Sequence, residues 1–268
     1  MATFTNIREQ FELRGRNYVV TGGAQGIGFC LVNAIAQMGG NVVALDLKET
    51  PSEGFQALGQ KYGVTTGYVK ADVTDEKSVS DAFQSAVGIL GGVDGCVTCA
   101  GIALEKPFEQ TTFDEVSRIQ NVNVVGTYIT AQLAAEQMKK QGTGGSLILV
   151  ASITSHTVLP FHHMSAYGAS KGAVKILSEA LAVELSPSKI RVNSISPGFI
   201  DTEMTQEVRN ANPVMNDIMN KTPPLQRIGT RDDLMGAVIY LLSDASSYTT
   251  GSDIAITGGL HIGRFIGT

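Results

Sequence analysis

The 268-residue sequence predicts a doubly wound α/β fold, with one parallel sheet of about seven strands flanked by helices on both faces. Three observations point to it. Short runs rich in β-branched residues recur along the chain. Several of them are apolar throughout, as strands covered on both faces require. The stretches between them carry helical spacing. Alternation of strand and helix over short connections favours parallel pairing with right-handed crossovers.

Strands are expected at 17–21, 41–46, 66–69, 93–98, 146–152, 190–195 and 254–257. Between the third and fourth, Val79, Ala82, Phe83, Ala86, Val87 and Leu90 recur at helical intervals behind an acidic first turn. Residues 113–141 read as one long helix, stopped at Gly142, and residues 165–186 as another, stopped at Pro187. No internal repeat or shift in composition divides the chain. It is read as one domain over 1–268, with a substrate lid around 201–222.

Thirty glycines are a marked excess, but with only 8 prolines and no G-X-Y period they suggest neither collagen nor low-complexity disorder. At 43% hydrophobic and 17% charged, the chain has enough apolar material for a substantial core. The balance of 20 basic and 25 acidic side chains gives −5, with no Lys/Arg stripe, which argues against nucleic acid as a partner. Cys30, Cys96 and Cys99 lie among apolar neighbours without a CxxC pair, so neither a disulfide framework nor a zinc site is expected. The first residues lack the apolar stretch of a signal peptide, and no run reaches the roughly 20 residues that span a bilayer. The expectation is a cytoplasmic protein with no membrane partner.

Residues 21–28, T-G-G-A-Q-G-I-G, join the first strand to the first helix. Gly22, Gly26 and Gly28 allow a sharp turn and close approach to a pyrophosphate, while the helix start turns free N–H groups toward it; Gln25 and Ile27 belong to the same cradle. Asp46 ends the second strand, where a carboxylate accepts hydrogen bonds from the adenosine ribose and repels a 2′-phosphate. That favours NAD over NADP, with Lys48 nearby as the weakening influence. Asp72 and Val73, after the third strand, are placed to meet the adenine. Tyr167 and Lys171 stand four residues apart on one helix face, so that a lysine cation can favour the phenolate and adapt tyrosine to proton transfer.

With these motifs the chain resembles the short-chain dehydrogenase/reductase family, of the short single-domain Rossmann type, over nearly its whole length. The resemblance rests on T-G-x-x-x-G-x-G at 21–28, N-V-N-V at 121–124, Y-x-x-x-K at 167–171, P-G at 197–198 and the late glycine-containing stretches at 224–229 and 250–259. It implies hydride transfer between NAD(P) and a secondary alcohol or ketone. Tyr167 would be the acid/base, Lys171 would lower its pKa and hold the ribose, and Asn123 would anchor a water of the proton relay. Pro197, Gly198, Ile200 and Thr202 would line the nicotinamide. The family's N-N-A-G is here T-C-A-G at 98–101: Cys99, Ala100 and Gly101 would line the cofactor, but Thr98 and Cys99 stand where the two asparagines would be, so the strand ties those make must be replaced or lost. Cys99 is expected to pack and not to react. The substrate-polarising serine is assigned to Ser152, as in fungal-type polyol and ketone dehydrogenases, with Thr154 and then Ser155 as alternatives.

The substrate wall is expected from His156, Leu159, Phe161, His162, His163 and Met164, and from the lid with Met204, Val208, Val214, Met215, Ile218 and Met219. Metal binding by His162 and His163 is not expected, since adjacent residues converge poorly and no acidic partner lies at ligand spacing. A polyol or ketose and a bulkier, secondary-metabolite-like alcohol or ketone both suit this wall. A fold repurposed as an NAD(H)-binding regulator or non-redox cyclase is the alternative function. Val174, Leu177, Leu181 and Leu185 form one apolar face of the 165–186 helix, and Ile176, Ala180 and Val183 form another. Two such faces suggest a homotetramer or homodimer.

Overall fold

A computed structural model of the chain describes residues 6–159 and 162–264, the side chains at 204, 207, 208 and 211 apart. Among these residues seven strands form one parallel sheet: β1 (Asn17–Thr21), β2 (Asn41–Asp46), β3 (Thr66–Lys70), β4 (Gly95–Thr98), β5 (Gly145–Val150), β6 (Ile190–Pro197) and β7 (Asp253–Ile256). Their order is β3-β2-β1-β4-β5-β6-β7. The direction of winding reverses between β1 and β4, which opens a crevice at the carboxyl ends of the strands.

The uninterrupted apolar runs have the reason expected of them. Successive side chains of a strand point to opposite faces, and here both faces are buried. Tyr18, Val20, Val42, Ala44, Val97 and Ile148 join one core layer, against α2 (Gly26–Gln37) and α10 (Met235–Leu242). Val19, Val43, Leu45, Cys96, Leu147 and Leu149 join the other, against α4 (Glu76–Leu90), α6 (Gly126–Gln141) and α7 (Ser165–Leu185). Helix α4 is capped by the Asp75 carboxylate, which accepts from the Ser78 amide, and buries Val79, Ala82, Phe83 and Ala86 of the expected stripe. The helices α1 (Ile7–Gln10), α3 (Leu58–Tyr62), α8 (Glu203–Ala211) and α9 (Pro213–Lys221) complete the set used below. No described helix is long and apolar enough to cross a membrane.

One expectation needs correction. Residues 113–141 do not form a uniform α-helix: α5 (Phe113–Gln120) passes through a π turn at Asn121–Val125 before α6 begins. The wider turn accommodates Asn123, which is fully buried and bonded to chain segments far away in sequence. On α7, Val174 and Leu185 are buried, while Ile176 and Val183 of the second apolar face are 62% and 75% exposed.

Candidate active site

The turn after β1 is closed so tightly that side chains have no room. A Cβ on Gly28 would lie 2.0 Å from the Gly22 carbonyl oxygen, and one on Gly22 would lie 2.8 Å from the Ala100 Cα. Gly22 and Gly26 adopt φ of 69° and 57°, in the left-handed region. Gln25 precedes α2 in extended conformation without capping it through its side chain, so the first-turn amides of α2 face the crevice without a side-chain cap. Asp46 ends β2 with its carboxylate held in place, Oδ2 accepting from the Ala24 amide (2.9 Å) and Oδ1 from the Lys48 amide (3.0 Å). The Lys48 ammonium reaches across to the Gln25 side-chain oxygen. The T-C-A-G segment is tied to β1 by a different route from the one its missing asparagines would use: the Thr21 hydroxyl accepts from the amides of Cys99 and Ala100 at 3.1 and 3.2 Å. Thr98 buries its own hydroxyl with no hydrogen-bond partner among the described residues.

Tyr167, Lys171, Ser152 and Asn123 gather at the carboxyl ends of β4 and β5. A Cβ on Gly101 would meet Asn123 Oδ1 at 3.3 Å and Lys171 Nζ at 3.4 Å, so these three positions are immediate neighbours. The Lys171 ammonium donates to the Val150 carbonyl (2.8 Å) and stands 5.8 Å from the centre of the Tyr167 ring. Burial drives its pKa down to about 8, with the Cys99 thiol opposing. Burial raises the Tyr167 pKa, and a hydrogen bond with Ser152 pulls the other way. The ammonium is aimed at a carbonyl, and desolvation is the larger influence on the phenol. Cys99 is pushed up to about 11, mainly by burial, so it remains a neutral thiol beside Lys171.

Both amide hydrogens of Asn123 are engaged. Its Oδ1 accepts from the Ile102 amide (2.9 Å), and its Nδ2 donates to the Ile102 carbonyl (3.0 Å) and the Ser170 hydroxyl (2.9 Å). Ser170 in turn donates to the Tyr167 carbonyl (2.7 Å) and joins the two motifs. The sequence reading missed it; its signal is a polar residue on the buried face of α7, between Tyr167 and Lys171. Of the three hydroxyls considered for the substrate oxygen, it is that of Ser152 that lowers the Tyr167 pKa against burial, and its Oγ also accepts from the Thr154 amide at 3.2 Å. The Thr154 hydroxyl is buried without a partner among the described residues, and Ser155 donates to the Ser152 carbonyl.

The remaining expected positions divide. Asp72 accepts from the Thr74 amide and hydroxyl, and Val73 packs where a Cβ on Gly126 would sit only 2.8 Å away. Gly198 donates to the Ile256 carbonyl and presses against Thr257. The Ile200 side chain belongs to the core, which leaves only its main chain for a ligand. The Thr202 hydroxyl engages Thr205 at the start of α8. Glu203, next in sequence, reaches within 3.6 Å of where a Cβ on Gly26 would stand. His156 does not join the substrate wall, because its Nε2 lies 2.7 Å from the Asp253 carboxylate on β7 and 3.2 Å from the Ser196 hydroxyl. His162 does have an acidic partner, Glu105, supplied by the β4–α5 loop. Met215 and Met219 are buried under α9 while Val214 is exposed. Phe161 and the side chains of Met204 and Val208 lie outside the described residues. A hollow of about 660 Å³ lies beside Arg14, Asn41 and Tyr62 at the amino ends of the strands and is lined by none of these groups.

A family model described as enoyl-(acyl carrier protein) reductase matches residues 22–261. The sorbose reductase of Schizosaccharomyces pombe is 40% identical over 252 residues, covering 93% of this chain and 97% of that one. Among solved structures, a short-chain type dehydrogenase/reductase from Mycobacterium marinum shares 37% identity at a TM-score of 0.87, over 95% of this chain and 99% of its own. The NADPH-dependent 3-quinuclidinone reductase of Rhodotorula rubra shares 32% identity at a TM-score of 0.88, over 97% of each chain.

Proposed function

The chain belongs to the short-chain dehydrogenase/reductase family and is an NAD(P)-dependent oxidoreductase acting on alcohol groups; from that premise we propose that it interconverts a ketose and a polyol, with NAD(H) preferred. The observation that carries the reading is the meeting of Ser152, Tyr167, Lys171 and Asn123 beside Gly101, at the mouth of the crevice. The likeness to a sorbose reductase supports a hydroxylated substrate. The fixed Asp46 carboxylate supports NAD, since it would repel a 2′-phosphate and Lys48 is turned to Gln25 instead.

The residues present fit a dinucleotide. Turn 22–28 would take the pyrophosphate where no Cβ can stand, and Asp46 would take the ribose hydroxyls. Bound there, the nicotinamide supplies or accepts the hydride at the carbinol carbon. Tyr167 gives its phenolic proton to the oxygen in reduction and takes it back in oxidation, and Ser152 hydrogen-bonds the same oxygen. Lys171, charged below its pKa of about 8, favours the phenolate that reduction leaves. With both Asn123 amide hydrogens engaged, a relay water there would donate to its Oδ1. Replacement Tyr167→Phe tests the assignment. It should lower ketose reduction by roughly 10²–10⁴-fold while NADH binding, followed by fluorescence, persists. Full turnover by this variant would overturn the reading.

The exposed Ile176 and Val183 on α7, with Phe113 and Tyr128 on α5 and α6, support assembly into a homotetramer or homodimer through these helices.

A further inference from the structure

Between the end of the β5–α7 loop, the segment after β6, helix α9 and the C-terminal segment lies a small cavity of about 50 Å³. Leu159, Phe199, Ile218 and Leu260 give it apolar walls, and Thr222 and Arg264 its polar rim. The His162 ring forms one side, 5.6 Å from the Phe199 ring, centre to centre. The His162 side chain is 3% exposed, and its Nε2 is buried with no hydrogen-bond partner among the described residues. Its other nitrogen, Nδ1, lies 3.2 Å from Glu105 Oε2.

This arrangement dictates what the cavity can recognise. A carboxylate only accepts, so Nδ1 carries the hydrogen, and in the neutral ring Nε2 is left as an acceptor. A buried acceptor without a partner is unfavourable, which is why such groups are seldom left unpaired. What would satisfy it is a donor on a group small enough for the cavity, whose volume exceeds the roughly 10–15 Å³ that one water needs. We infer that this cavity receives the hydroxyl-bearing end of the substrate remote from the reacting carbon, with His162 Nε2 accepting from a substrate hydroxyl and Glu105 acting as the positioning residue. The inference rests on the oxidoreductase reading above and deepens it. The loop that bears His162 joins Ser152 to Tyr167, and Ile153, next to Ser152, packs in one cluster with Leu159, Leu260 and Phe199 of the cavity walls.

The test compares two ketones of equal chain length, L-sorbose with its hydroxyls and 2-hexanone without them. His162→Phe keeps a ring against Phe199 and removes the acceptor. It should lower kcat/KM for L-sorbose at least tenfold more than kcat/KM for 2-hexanone. Glu105→Ala, which leaves the cavity walls in place, should raise KM for L-sorbose severalfold with kcat little changed. Equal losses on both ketones, or no loss on L-sorbose, overturn the inference. A second arm needs no turnover: sorbitol is titrated calorimetrically into Tyr167→Phe protein with NAD present. Binding should be seen there and should weaken at least tenfold in Tyr167→Phe/His162→Phe. If no ketone is turned over by the unaltered chain, the proposed reaction fails and this arm alone decides. Absence of sorbitol binding, or equal affinity in both proteins, then overturns the inference.

Discussion

Ser170→Ala isolates one buried hydrogen bond, and Ser178→Ala is its internal control. Both serines lie on α7, both are fully buried, and each donates to the carbonyl three residues before it, Tyr167 and Lys175 respectively, at 2.7 Å. They differ in one respect: Ser170 also accepts from Asn123 Nδ2 at 2.9 Å. The alanine at 170 therefore strands an amide hydrogen in a place without water, whereas the alanine at 178 strands only a carbonyl already within a helix. Leaving a buried donor unsatisfied costs about 1–3 kcal/mol. Taking about 2 kcal/mol and the roughly 2–4 °C per kcal/mol expected for a chain near this size, Ser170→Ala should melt about 4–8 °C below Ser178→Ala. Thermal melts followed by circular dichroism, run side by side, give the comparison. Melting temperatures within 1 °C of each other would refute the claim that Ser170 holds Asn123 in place.

Three further outcomes follow from the same geometry. Because burial lowers Lys171 to about 8 from 10.5, kcat/KM for NADH should fall as pH rises through about 8; a decline beginning only near 10 would contradict it. The same shift acts on stability with the opposite sense. Above pH 8 the unfolded chain keeps a proton that folded Lys171 has lost, so this group's share of stability rises with pH. The window closes near 9, where the thiols of Cys30, Cys96 and Cys99, all raised by burial, begin to pull the other way. NADH should bind more tightly than NADPH, and Asp46→Ser should narrow the ratio by about 10–100-fold in fluorescence titrations, a factor of ten corresponding to about 1.4 kcal/mol; tighter NADPH binding by the unaltered chain would reverse the reading of Asp46. Light scattering at micromolar concentration should give a mass of two or four chains, and a monomer mass would mean that Ile176 and Val183 stay uncovered.

How much of this was legible beforehand depended on the range of the forces involved. The strands could be read because a run such as Tyr18-Val19-Val20 must be apolar at every position when both faces of the sheet are covered. The Tyr167–Lys171 pair and the 22–28 turn are local spacings, and the chain brings them together as those spacings imply. What could not be read was set by partners far off in sequence. N-V-N-V-V has no glycine or proline to announce a π turn, which follows Asn123's bonds to Ile102 and Ser170. His156 looked like substrate wall until Asp253, 97 residues away, drew it toward β7. Glu105 and His162 are 57 residues apart, and nothing in either neighbourhood announces the other. The loss of two asparagines after β4 was visible, but its repair through the Thr21 hydroxyl was not.

The π turn has a consequence for how this chain can vary. Removing a residue from a regular helix swings everything after it through about 100° and draws it back about 1.5 Å, which here would lift Ala131, Ala134 and Met138 out of the core. Within Asn121–Val125 the backbone already accommodates extra length. A one-residue deletion there can be absorbed by tightening the turn, and α6 keeps its seat. What disappears is the inward aim of Asn123. Fold and chemistry are thus separable at this point by a change in length alone, and a shortened descendant could remain well folded after losing the groups that make it an enzyme.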